Sequence, residues 1–341
     1  MGLSTGAIFV LFATDPAGAG GYQLRQHGAG AQASAIAGAT AGAHGLENLF
    51  FNPAVAGLSD RPEAALSATL IAPESEITDA QGTRAGNDVG GPTRVGDAMP
   101  NPVIPAFFAA ALLGEEIAGG RLSLGFSASA PFGLETDYGR TWEGRYHAVG
   151  TEVVTFNLNP MLAFRASDTL TLGAGVQAQY YQGVLSSALD FGPPAGFPPS
   201  RATDGFVEVD ADDWALGFNL GALWQPRSGT KIGLAYRSEV EHTLDGEADF
   251  TDDQAGVGPG LRALTGRFRD TGAQAVISTP RSVSLGVSQA LSERWTLLGE
   301  AQWTDWSTFD SLVVRFDNPN EPNDITRQDW DDGWFAALGA R

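Results

Sequence analysis

Between Arg121 and Tyr181 lie candidate strands, joined by a loop and turns, that alternate between apolar residues and small or polar ones. Leu122, Leu124, Phe126, Ala128 and Ala130 interleave with Ser123, Gly125, Ser127 and Ser129. Val154, Phe156, Leu158 and Leu162 then interleave with Thr155, Asn157, Asn159, Ala163 and Arg165. After Ser167-Asp168, Leu170, Leu172, Ala174 and Val176 stand against Thr171, Gly173, Gly175 and Gln177. A period of two gives each strand one apolar face and one slim polar face. In a soluble sheet the apolar face packs on a core. In an outer-membrane barrel it meets lipid, and the slim face lines a lumen.

Connection lengths separate these two options. Candidate strands run over Glu63–Ala72, Val103–Leu113, 121–130, Val154–Arg165, 170–181, Trp214–Trp224, Lys231–His242, Arg281–Leu291, Arg294–Phe316 and Trp330–Arg341. Short turns are expected at Gly114–Gly120, Ser167-Asp168, Gln225–Thr230 and Ser292-Glu293. Between them lie longer connections through Met99, over Pro131–Gly144 and Gln182–Ala211, and up to Thr279 and Trp330. Short and long connections in alternation are the signature of an outer-membrane barrel, with turns on one side and loops on the other. A soluble sandwich has no reason to keep that parity.

Composition agrees. The 341 residues hold 44 glycines, 19 prolines and no cysteine, which excludes disulfides and thiolate metal sites. A formal charge of −20 argues against nucleic acid as a partner. No stretch reaches the ~18 apolar residues of a spanning helix, so a membrane location requires a closed barrel. The expected fold class is therefore all-β, a transmembrane antiparallel β-barrel.

Residues 1–20 read as an export signal, with an apolar core at Ala7–Ala13, although no basic residue precedes Arg25. Residues 21–60 differ from the rest: Ala29–Ala43 is almost wholly small, and it leads into Phe50-Phe51-Asn52-Pro53-Ala54. This composition fits a plug, or hatch, folded inside the lumen. Residues 61–341 are assigned to the barrel.

The chemistry is sparse. His27, His44, His147 and His242 lack metal-ligand spacing, and no nucleophile elbow or zinc-binding helix motif is present. Asp210, Asp212 and Asp213 lack the glycine and terminal glutamate of an EF-hand. No cofactor, metal site or catalytic residue is expected. Extending the alternation places Arg165, Lys231, Arg237, Glu239 and Glu241 on the inward face, as lumen ion pairs or as a contact for an anionic ligand.

These residues resemble the FadL/TodX (OMPP1) family of outer-membrane transporters for long-chain fatty acids and hydrocarbons. The matches are Gly21-Tyr22-Gln23-Leu24, Asn52-Pro53-Ala54, Ala130-Pro131-Phe132-Gly133, Trp142, Gly144-Arg145-Tyr146, Asn157-Leu158-Asn159-Pro160, Asp213-Trp214-Ala215-Leu216-Gly217-Phe218-Asn219, Tyr236-Arg237-Ser238-Glu239-Val240 and Trp303-Thr304-Asp305-Trp306-Ser307. The resemblance implies a fourteen-stranded barrel with an internal hatch, ligand capture among the extracellular loops, a pocket beside the hatch, and sideways release where a strand is kinked. Loops 182–211 and 243–279 fall where the ligand-collecting loops would. Asn101-Pro102 and Pro105, or the neighbouring third strand, are candidates for the interrupted ladder. Candidate ligand and hatch residues are Phe50, Phe51, Asn52, Pro53, Ala54, Arg145, Arg237 and Arg327.

About ten strands are counted, and the chain ends at Ala340-Arg341 inside a strand pattern, so the sequence reads as a barrel cut short. The implied function is passive transport in the outer membrane of a Gram-negative bacterium, by a monomer, with fatty acid or another hydrophobic small molecule and membrane lipid as partners. Alkane or aromatic hydrocarbon uptake is the alternative. A barrel lipid hydrolase using His147 and a soluble sandwich are further ones.

Overall fold

The computed structural model describes residues 21–341 apart from Ala85; the expected export signal lies outside the described residues. Ten strands follow one another in a single antiparallel path: β1 Glu63–Leu70, β2 Val103–Ile117, β3 Gly120–Ser129, β4 Gly150–Arg165, β5 Leu170–Asp190, β6 Asp204–Arg227, β7 Thr230–Arg237, β8 Ser282–Ala290, β9 Thr296–Thr304 and β10 Gly333–Ala340. No helix among the described residues is long and apolar enough to cross a membrane.

Polarity is inverted relative to a soluble sheet. Leu162, Val176, Leu216, Leu220, Leu234 and Leu285 are exposed, at 47 to 74% of their free surface. Their slim neighbours Ser123, Ser127, Asn157, Asn159, Gln177 and Asn219 are buried. A water-soluble sandwich would reverse these faces. On β6 the exposed Trp214 and Trp224 mark two levels ten residues apart. At a rise of ~3.3 Å per residue and a tilt near ~40°, they stand roughly 25 Å apart along the membrane normal, the height of a barrel's apolar band.

Several boundaries differ from the sequence-based expectation. β2 runs on to Ile117, and the hairpin turn is the pair Ala118-Gly119, both at positive φ. The two long central connections are largely ordered. β5 and β6 remain paired to Asp190↔Asp204. Residues 240–279 form a hairpin of Val240–Thr251 and Thr271–Thr279 joined by a helix, Val257–Thr265. Arg294–Phe316 is split into β9 and a separate strand, Ser311–Phe316, by the buried Trp306.

Glu239 and Glu241 are exposed on the outer face, not inward. Below them Asn219 pairs with Arg237, and above them Asp212 pairs with Asp245. Six residues of β6 thus oppose seven of the partner, and that single extra residue exchanges the two faces. Arg165 keeps its inward place and lies 3.6 Å from Asp60.

The apolar band carries a direct test. Leu220→Arg places a cation at mid-height on the outer face, and the folded barrel should lose ~2–4 kcal/mol in lipid-bilayer unfolding. An unchanged unfolding curve would contradict the assignment of that face to lipid.

Candidate functional site: a stacked lumen passage

Residues 21–60 pack on the inward faces of the strands, and the sequence explains how. Asn52 caps the 3-10 helix Pro53–Leu58: its Oδ1 accepts from Ala54 N at 3.0 Å, and proline occupies the first helical position, where no N–H is needed. Its Nδ2 donates to Thr40 O at 2.8 Å and Ala222 O at 3.2 Å. One side chain therefore ties two parts of the segment to β6.

The wall receives this segment through glycines. A Cβ at Gly173 would lie 2.3 Å from Ala54 N, and one at Gly233 would lie 1.9 Å from Thr40 O. Gly221 and Gly286 meet Asn52 and Ala41 in the same way. On β9, Glu300 accepts from Thr40 N at 3.1 Å and from the Thr40 hydroxyl. Slim inward positions, read from the sequence only as alternation, are contact points between backbone and backbone.

Above this seat is a pocket lined by Gln23, Arg25, Phe50, Phe51, Asn219 and Arg237, among others. The half-buried Arg237 guanidinium lies 4.7 Å over the Phe50 ring, donates to Phe50 O at 2.6 Å and bonds to Gln177 Oε1. Arg25 donates to Gln302 Oε1 at 3.1 Å and Gln23 Oε1 at 2.9 Å. Among the described residues no carboxylate lies within 4.0 Å of either guanidinium. Glu300 faces Arg25 from further off, whereas a cation held away from water without a counter-ion is costly, so Arg237 is the readier receptor for an anion.

Higher still, Tyr22, Phe132, Tyr181, Leu244, Ile277 and Trp306 form one buried cluster. Beyond it Ala248, Ala275 and Val314 pack with Leu185, Val207 and Val209. Along β5 the order is Leu185, Tyr181, Gln177, Gly173, from the outer apolar cluster through the aromatic cluster and polar pocket to the seat.

The third strand breaks beside the cluster. The β2–β3 ladder stops at Phe107↔Ala128, so Val103–Ala106 have no β3 partner. β3 gives way to Ala130-Pro131-Phe132, which pairs with the N-terminal segment instead. Leu24 N donates to Pro131 O at 2.8 Å and Gly133 N to Tyr22 O at 2.9 Å. The β1–β2 ladder passes Pro105 unbroken at Ala68↔Pro105, so the interruption lies on the β3 side.

Of the remaining candidates, Arg145 is fully buried among the loops. Its Nε donates to Asp204 at 2.7 Å, and its Nη atoms donate to Gly90 O, Val89 O and Trp142 O. Burial, and then the hydrogen bond it donates to Asp204, raise the Tyr146 phenol above its ordinary range. Arg145 is thus a clamp between loops. Arg327 is exposed on the strand Asp324–Arg327. His147 is exposed in a loop. Arg25 and Glu300 escaped the sequence reading as site residues; only the period of two at Glu300 and Gln302 marks the latter as inward.

The seat yields a prediction. Gly173→Val should displace the Pro53-Ala54 turn and lower stability by ~1–3 kcal/mol, read as an earlier unfolding midpoint in detergent. An unchanged midpoint would mean that the segment does not press on β5.

The geometry has close counterparts. A Pseudomonas aeruginosa FadL homologue superposes with a TM-score of 0.81 at 24% identity, over 94% of this chain and 77% of that one. The Ralstonia pickettii toluene transporter TbuX gives a TM-score of 0.63 at 18% identity, over 87% and 77%. In sequence the chain is 24% identical to the long-chain fatty acid transport protein of Escherichia coli O6:H1, over 92% of this chain and 72% of that protein. It is 23% identical to outer membrane protein P1 of Haemophilus influenzae, over 98% and 76%. With its sequence matching the family profile over residues 10–341, the chain belongs to the outer membrane protein transport protein family (OMPP1/FadL/TodX), and its barrel is an outer-membrane one.

Proposed function

We propose that the protein carries long-chain fatty acids passively across the outer membrane. The observation that supports this most is Arg237, a half-buried cation on an aromatic ring with amide and carbonyl partners but no carboxylate. A fatty-acid carboxylate supplies the missing charge, while its tail replaces water against Phe50 and Phe51. Entry is over the apolar loop lining. Residues 21–60 act as the hatch that blocks a straight water channel, and release is sideways at the β3 bend. No step requires catalysis, and we read the chain as a transporter and not an enzyme.

A hydrocarbon needs the same apolar lining but makes no use of Arg237. Arg237→Gln keeps hydrogen bonding and removes the charge. The cost of losing a charged hydrogen bond is ~1.5–3 kcal/mol, so fatty-acid affinity should fall roughly ten- to hundred-fold. Uptake by cells lacking their own transporter should fall with it, while alkane binding stays unchanged. Equal fatty-acid binding by both proteins would remove the carboxylate role. Normal insertion without fatty-acid uptake by the unaltered chain would move the substrate to hydrocarbons.

A further inference from the structure

The wall has a second interruption, on the side of the lumen reached through β6. Between Asn219↔Arg237 and Asp212↔Asp245 the ladder linking β6 to its neighbour is broken. The backbone closes one further rung, Ser238 N donating to Phe218 O at 2.9 Å, and side chains bridge part of the rest. Phe218 N donates to Ser238 Oγ at 2.9 Å, and Gln177 Nε2 donates to Phe218 O at 3.0 Å. Thr243 N donates to the Asp213 carboxylate at 3.1 Å, and His242 Nδ1 stands 3.4 Å from it. Val240 is drawn inward over Gly217, where a Cβ would come within 2.6 Å of it. Backbone at this depth is tolerated only when its polar groups are satisfied within the protein. Here side chains, which can turn away, partly replace a cooperative ladder.

Apolar residues flank this seam on both sides, beside the exposed Glu239 and Glu241 outside and the buried Ser238 and His242 inside. Outside, Leu216 and Phe218 are exposed just below Trp214, within the lipid-facing band. Inside, Leu244 belongs to the cluster that also holds Phe132 of the β3 bend. Ala128, Leu158, Ala178 and Leu216 pair across β3, β4, β5 and β6 in one row. The bend and the seam therefore lie three strands apart and open on the same aromatic cluster.

We propose that the seam between β6 and residues 238–244 is a second side portal, admitting a neutral hydrocarbon chain from the surrounding outer leaflet to the aromatic cluster. Neutrality follows from the rim: Glu239 and Glu241 are exposed there, and Asp213 lies in the seam itself, so a carboxylate is repelled. The ordinary alternative is a β-bulge that merely re-aims the strand.

The chain has no cysteine, so single cysteines report access without background. Val240→Cys and Ala235→Cys are both buried and inward, but Ala235 is ladder-paired on both sides, to Gly221 and Ser284. In lipid vesicles, a neutral alkyl-maleimide dissolved in the bilayer should label Val240→Cys at least ten-fold faster than Ala235→Cys. Excess hexadecane should slow that labelling, and palmitate should not. Equal rates at both positions, or labelling that hexadecane leaves unchanged, would overturn the portal. Should Val240→Cys fail to give a folded barrel, Leu244→Cys carries the same comparison. No uptake is measured, so a wrong substrate assignment and a closed seam give different results.

Discussion

Lipid offers the backbone no hydrogen bonds, and the rest of the molecule is arranged around that deficit. Each strand must close its ladder on its neighbours, which leaves side chains to settle what the two faces meet. The apolar face takes lipid. The inner face then has to be slim, because a folded segment of the same chain presses against it. Gly173, Gly221, Gly233 and Gly286 are where this demand is sharpest, since there backbone lies on backbone or on the Asn52 side chain. The same glycines that look like weak strand residues make the lumen fillable.

Where the ladder does stop, the chain substitutes other partners. At the β3 bend the N-terminal residues Tyr22–Leu24 take the place of β2. Between β6 and residues 238–244, Ser238, Gln177 and Asp213 take it instead. The aromatic cluster of Tyr22, Phe132, Tyr181 and Trp306 sits between these two places. Backbone irregularity and apolar lining thus meet at one cluster, above a polar pocket in which Arg237 has no carboxylate within 4.0 Å among the described residues. A molecule with a long tail and one anionic end matches that sequence of surfaces.

Much of this was legible before any coordinates. Ten strands, the parity of their connections and the inverted faces all follow from a period of two and from turn residues. A defined turn near Pro53 was legible from the proline and the Phe50-Phe51 pair, whereas the Asn52 cap emerged only in the folded chain. The extended central hairpins were missed because their outer faces are acidic: Glu208, Asp210 and Asp212 lie opposite Asp249, Glu247 and Asp245, so the residues read as loop. Glu239 and Glu241 were misplaced because one extra residue near Ser238 reverses the parity, and no local signal announces it. The Arg145 clamp depends on Asp204, 59 residues away, and only the folded chain brings them together.

The central claim is that apolar burial along the lumen drives capture, with the charged group as an anchor. Calorimetric affinities of saturated fatty acids of increasing length, measured on the barrel in detergent, test it most directly. Each added methylene should contribute up to ~0.8 kcal/mol, roughly a four-fold gain in affinity, until the passage is filled. Affinity that is flat from short to long chains would contradict the account.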